Sequence, residues 1–292
     1  MDNIRSLPIE AFDKESLVNR NPHKDFDSVQ SQRPDYPLNH TSTYTKSPHP
    51  GWKIGDGANS NHWKNEEFIS IDPAEEGRPE VLNYKLMIST TVPRPVALVS
   101  TITADGKTRN LAPFSYFQCV IADPPLYSLA FAGEHPNDTL RNILDTGELC
   151  ISMTSDWIIE AANFTSINTP PHISEWNLAG LTPAASAVVK PPFVAESPYS
   201  AECKLHSHQE ISSKRTGRRT ATLVLVEIVR FHIWRQALAE DMATADLSKL
   251  RPVFRAGGTT YGTVQSAFEI PRPPPFRNLV QSDAVNTLRN NS

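Results

Sequence analysis

The sequence predicts a mainly β fold of the barrel type with short helices at its connections, and three observations carry that expectation. Every strong apolar run falls between residues 84 and 262, and each is of strand length. Turn formers punctuate those runs at short intervals, and helical patterning is confined to two brief stretches. Six or so strands joined in this way suit a barrel better than a doubly wound sheet.

The first strand is read over Arg94 to Ile102, apolar on both faces and therefore central, with Val96, Leu98 and Ser100 alternating against Ala97, Val99 and Thr101. Asp105 and Gly106 form a hairpin signal, since this pair tolerates the positive φ of a tight turn. A second strand is expected from about Thr108 to Ile121, and Pro113 within it requires a bulge or an edge position because proline cannot donate to a ladder. Leu126 to Ala132 reads as a strand, Asp138 to Thr146 as a helix stopped by Gly147, and Leu149 to Met153 as a strand. Trp157 to Phe164 reads as a second short helix. Residues 168–198 are proline-rich and read as an ordered excursion, and strands return at Ser200 to Ile211 and Thr220 to Trp234.

Residues 1–76 are expected to form a polar, mostly irregular N-terminal extension, 77–264 the folded domain, and 265–292 a proline-rich tail containing Pro271, Arg272, Pro273, Pro274 and Pro275. The extension carries Asn21-Pro22 and other turn formers. Trp52 and Trp63 are exceptional there, and are expected to lie across a folded surface or a partner subunit.

Composition excludes several classes. Lys and Arg total 28 against 32 Asp and Glu, a net charge of -4 without a basic stripe, so a nucleic-acid partner is not indicated. No apolar run approaches the length of a membrane span, and the first 30 residues hold no apolar signal core, which points to a cytoplasmic protein. Cys119, Cys150 and Cys203 sit in apolar runs and read as reduced core residues.

Two clusters of residues stand out. Pro93, Arg94, Pro95, Ser100, Thr101 and the run Asn110, Leu111, Ala112, Pro113, Phe114, Ser115, Tyr116 and Phe117 lie in adjacent strands, where small and polar residues let a planar ring approach the backbone. The same residues also suit a bulged edge strand packed on a loop. Asn137 to Asn142, with Asp138, Thr139 and Arg141, open a helix and offer the amides, hydroxyl and guanidinium that a phosphate needs. An ordinary Asn or Asp cap with a solvated arginine also accounts for them, and on these residues alone it is the preferred reading.

Taken in order, Tyr84 to Met87, Pro93 to Thr101, Asn110 to Phe117, Asp123 to Pro125, Asp138 to Asn142, Gly147-Glu148, Glu202-Cys203, and Arg255 to Gly258 with Tyr261 resemble the flavin-reductase-like FMN-binding split-barrel family. The resemblance implies a six-stranded antiparallel split β-barrel that forms a homodimer and binds FMN. It implies that Asn110 to Tyr116 lie along the isoalloxazine ring, and that Ser100, Thr101, Asp138 and Thr139 surround the phosphate with Arg141 nearby. The family commonly has lysine before the Asp-Thr pair, whereas this chain has Asn137, which removes a cation.

The activity implied is an FMN-dependent oxidoreductase taking hydride from NAD(P)H and passing it to free flavin or a small organic acceptor. The alternative is a non-catalytic FMN electron carrier. Reduction at flavin N5 leaves negative charge near N1 and O2, for which Arg94 is the candidate catalytic cation. His206 and His208 share a strand face with Glu202 as the one further ligand in reach, too few for a metal centre, so no metal is expected. Gly257-Gly258 lacks a following apolar helix and is not a dinucleotide fingerprint. Selectivity for substrate is expected in the 168–198 excursion, where His172, Trp176 and Phe193 are able to stack on or bond to a ligand.

Overall fold

The computed structural model describes residues 23–38, 42–170, 172–280, 282, 285 and 287, so Asn21, Pro22 and Pro171 lie outside the described residues. The chain divides into two units, Met1–Tyr36 with Pro79–Thr263, and Pro37–Arg78 with Val264–Ser292.

The larger unit is built on one antiparallel sheet of β1 (Ala97–Ile102), β2 (Arg109–Phe114), β3 (Phe117–Ala122), β4 (Pro125–Ala132), β5 (Glu148–Met153), β6 (Tyr199–Ser212) and β7 (Arg219–Ile233). The spatial order is β2-β1-β5-β6-β7-β4-β3. The sheet thus has seven strands and two open edges, where six strands in a barrel were expected. The difference arises at the run read as one strand from Thr108 to Ile121. It breaks at Ser115 and Tyr116, and its halves become β2 and β3 on opposite edges of the sheet. Pro113 sits on β2, an edge strand, where its missing N–H does least harm.

Two residues span only about 7 Å of extended chain, so the edges joined by Ser115 and Tyr116 must come close and the sheet must roll. The interior follows from that. Val99 of β1, Phe117 of β3, Leu129 and Phe131 of β4, Ile151 of β5 and Val224 of β7 pack into one buried cluster. Leu140 and Ile143 of α1 (Asp138–Thr146) complete it. This helix follows the expected bounds, capped by Asn137 and ended by Gly147 at φ 71°, a conformation that favours glycine. A second cluster covers the other face of β1 and β2, with Leu98 and Leu111 packed against Ile158, Ala162, Trp176, Leu181 and Val194.

A helix at Glu80–Thr90 is absent from the pattern of the sequence, and its burial explains why: Ile88 is its single buried residue, so no apolar stripe marks it. Arg94–Pro95, read as the start of the first strand, instead pairs with Val253–Arg255 in a separate small sheet. Cys150 and Cys203 are buried, and burial pushes the Cys150 thiol up to about 12. Cys119 is exposed, contrary to expectation, because β3 is an edge strand whose residues after Phe117 are exposed on both faces.

In the smaller unit Thr43–Thr45 pairs in parallel with Ser266–Phe268. None of its described residues is buried. Trp52 and Trp63 are half exposed, and their indole N–H groups donate within their own segment, to Gly57 O at 2.9 Å and Ser60 O at 3.0 Å. Each indole N–H is thus satisfied by a local turn.

Within the 168–198 excursion, Pro183–Ala184 pairs with Phe193–Val194, and the turn between them is held by Glu202 of β6. This fully buried carboxylate accepts from the amides of Ala187 (2.8 Å), Val188 (2.6 Å) and Val189 (2.9 Å) and from His232 Nε2 at 2.6 Å. Burial alone would raise its pKa, but these donors reverse the effect and hold the carboxyl at about 2. Its contribution to stability is therefore complete above pH 4.5, the ordinary value, and is lost as pH falls toward 2. Denaturant midpoints measured across that window are expected to fall steeply for the native chain and less steeply for Glu202→Gln. At neutral pH the variant should be less stable by about 2 kcal/mol, the worth of a charge-assisted hydrogen bond.

Candidate functional site

The register of β1 and β2 sorts the candidate residues onto two faces. Thr101 lies opposite Asn110, Val99 opposite Ala112, and Ala97 opposite Phe114, while Ser100 lies opposite Leu111 and Leu98 opposite Pro113. Thr101, Asn110, Ala112 and Phe114 therefore share the face against α1. Ser100, Leu111 and Pro113 share the other, and Ser100 does not join Thr101 around a single point.

On the α1 face the side chains interlock. Asn110 Nδ2 donates to Thr139 Oγ1 at 2.8 Å, and Asn142 Nδ2 donates to Thr101 Oγ1 at 3.0 Å. Asn137 Oδ1 accepts from Leu140 N at 2.9 Å, so the residue standing where lysine is common serves as the helix cap. Arg141 donates to Asp138 Oδ1 at 2.6 Å and to Pro136 O at 3.2 Å. Thr101, Asn110, Asp138, Thr139 and Arg141 thus converge on the first turn of α1, whose leading amides have no intrahelical acceptor.

A cavity of about 120 Å³ opens there, lined among others by Asn110, Asp138, Arg141, Asn142, Asp145 and Glu175. It is smaller than the several hundred Å³ of a whole-ligand pocket and suits one end of a ligand. Its charge is uneven, with one guanidinium, itself paired, among three carboxylates. Glu175 was not singled out in the sequence. It is buried, accepting from Leu111 N at 3.1 Å and from Thr169 Oγ1 at 2.5 Å, and so occupies one amide on the free edge of β2. Asn142 stood within the quoted motif but not among the site residues, and its burial was its only missing signal.

At the other end of the Asn110–Tyr116 run stands Arg94, buried rather than solvated. Its Nη1 donates to Ile88 O (2.5 Å) and Thr91 O (2.6 Å), and its Nη2 to Gly257 O (3.1 Å). These bonds clamp the end of the Glu80–Thr90 helix. Tyr116 lies within electrostatic reach of Arg94 and Tyr84. Burial raises its hydroxyl, with a further rise from Tyr84 opposed by Arg94. Arg94 Nε and Ser100 Oγ are among the buried polar atoms that have no hydrogen-bond partner among the described residues.

Other candidates fall outside this arrangement. Trp176 is buried in the second apolar cluster, and Phe193 stacks on His232 with ring centroids 4.3 Å apart, so both are committed to packing. His172 is exposed. His206 and His208 are exposed on β6, and Glu202, the carboxylate that spacing set beside them, is turned to the Ala187–Val189 amides.

A model of the flavin reductase like domain matches residues 89–248. Uncharacterized proteins of Halalkalibacterium halodurans and Aquifex aeolicus are similar to the chain. The first is 34% identical over 72% of this chain and 99% of its own length, the second 35% identical over 61% and 88%. Among solved structures, nitrilotriacetate monooxygenase component B from Bacillus cereus aligns at 32% identity with a TM-score of 0.66, covering 70% of this chain and 100% of its own. A 2-nitrobenzoate 2-nitroreductase from Pseudomonas fluorescens aligns at 26% identity and a TM-score of 0.61, over 68% and 95%. Among the described residues no helix is long and apolar enough to cross a membrane.

Replacement of Arg94 by Met should destabilise the chain by about 3 kcal/mol, since two buried carbonyls and one part-buried carbonyl lose a charged donor. Thermal or denaturant unfolding reads this directly. An unchanged midpoint would leave Arg94 free of the clamping role.

Proposed function

The chain belongs to the flavin reductase-like family, and from that premise we propose that it is an FMN-dependent oxidoreductase, taking hydride from NAD(P)H and passing it to free flavin or a small organic acceptor. The observation that carries the choice of site is the convergence of Thr101, Asn110, Asp138, Thr139 and Arg141 at the α1 N-terminus beside the open edge of β2. The residues present fit a flavin. The unpartnered Arg94 Nε leaves a donor for a bound group, and the edge strand offers backbone N–H and C=O groups to a heterocycle rim.

FMN, when bound, supplies the redox chemistry. The protein's part is orientation and charge. The α1 amides, the Thr139 hydroxyl and Arg141 would hold the phosphate, Arg141 releasing Asp138 to do so. Ala112 to Tyr116 would line the ring, the small Ala112 and the N–H-free Pro113 allowing close approach. Arg94 would place its free Nε toward charge developing on the ring, its other donors fixing it rigidly.

The names of the structural neighbours, a nitroreductase and a monooxygenase component, support an acceptor drawn from flavins or small organic molecules. A homodimer is part of the reading, supported by Val120 and Ile121, exposed on the edge strand β3. Three free cysteines suit a reducing cytoplasm.

The purified protein should bind FMN with a visible flavin spectrum and oxidise NADH or NADPH. Failure to bind either FMN or FAD would overturn the reading. Asn137→Lys should tighten FMN by roughly tenfold, one added charge-assisted bond, while losing about 1 kcal/mol of helix cap. Riboflavin, which lacks the phosphate, should bind both forms equally. Isothermal titration with the two flavins separates these outcomes.

A further inference from the structure

Outside the larger unit, the structure holds a ready-made ligand for a protein partner. We propose that Ile270 to Phe276 is a docking segment for a polyproline-recognising domain, one with an aromatic-lined groove and an acidic side chain beside it.

The conformation follows from the residues. Pro271, Pro273, Pro274 and Pro275 each have φ locked near the polyproline II value, and Ile270, Arg272, Pro273 and Pro274 each precede a proline, which drives them to extended ψ. Pro275 itself stands at φ -53°, ψ 139°. Four of the five residues from Pro271 to Pro275 have no amide hydrogen, so the segment can neither join a sheet nor continue a helix. It follows the Ser266–Phe268 strand, which is paired with Thr43–Thr45, and precedes the short Phe276–Leu279 helix.

A polyproline II helix is a three-sided prism with three residues per turn. Ile270 and Pro273 fall on one edge, Pro271 and Pro274 on the next, and Arg272 and Pro275 on the third. The two apolar edges together present the pairs Ile270-Pro271 and Pro273-Pro274 separated by Arg272, which is a spacing that grooves lined by aromatic rings accept. Every residue from 269 to 278 is exposed. Ile270 is 69% and Phe276 65% exposed, and Phe268 is half exposed. A semi-rigid spacer has no use for large apolar side chains at both its ends, whereas a docking segment has. Arg272 makes no hydrogen bond or ion pair among the described residues, and its charge is available to an acidic partner group.

The test presents the full-length protein in solution to immobilised, purified SH3, WW and EVH1 domains. At least one domain is expected to bind it. Pro271→Ala with Pro274→Ala should weaken that binding by roughly tenfold or more, and Arg272→Glu should weaken it to a similar extent. Asn278→Ala, outside the prism, should leave it unchanged, and circular dichroism of every variant should match the native chain. Absence of binding by all three domain types would overturn the proposal. So would binding that persists undiminished in the double proline variant.

Discussion

The link of Ser115 and Tyr116 is the constraint on which the larger unit depends. Strands adjacent in sequence usually pair, yet β2 and β3 lie six places apart in the sheet order and are joined by two residues. That is possible only if the sheet rolls until its edges face each other. Rolling brings Val99, Phe117, Leu129 and Val224 from across the sheet into one interior, and it leaves the slot between β2 and β3 unclosed. The free edge of β2 is partly managed by Glu175, whose carboxylate takes the Leu111 amide. The remainder of that edge is what the site has to offer.

Much of this was legible in the sequence. Strand bounds at β4 and β5 and the helix from Asp138 to Thr146 follow from period, cap and stop signals, each of them local. The break at Ser115 and Tyr116 was not legible, because both halves of that run are equally apolar and only closure of the sheet separates them. The Glu80–Thr90 helix buries Ile88 alone, so periodicity had nothing to register.

The site was legible as a set of residues but not as a geometry. Thr101, Asn110 and Thr139 come together at the start of α1, while the strand's two-residue period sends Ser100 to the opposite face. Arg94 shows the same limit. The sequence marks it as a candidate cation, but its burial against the nearby carbonyls of Ile88 and Thr91 and the distant carbonyl of Gly257 is set by the fold. The buried Glu202 likewise takes its role from the Ala187–Val189 turn, which no local pattern announces.

The two-residue link also bears on how the molecule is made. Pairing of β1 with β5 and of β5 with β6 joins segments about 50 residues apart, whereas β1 with β2 and β3 with β4 close across short turns. Local hairpins can form early, but the two edges meet only when the distant pairings have set the curvature, and such contacts are entropically slow to reach. The slot beside β2 therefore comes into being late, as a product of the whole sheet. A chain that stalls before closure would carry intact hairpins and no place for a ligand, so occupation of the slot would pull the final closing step forward by mass action.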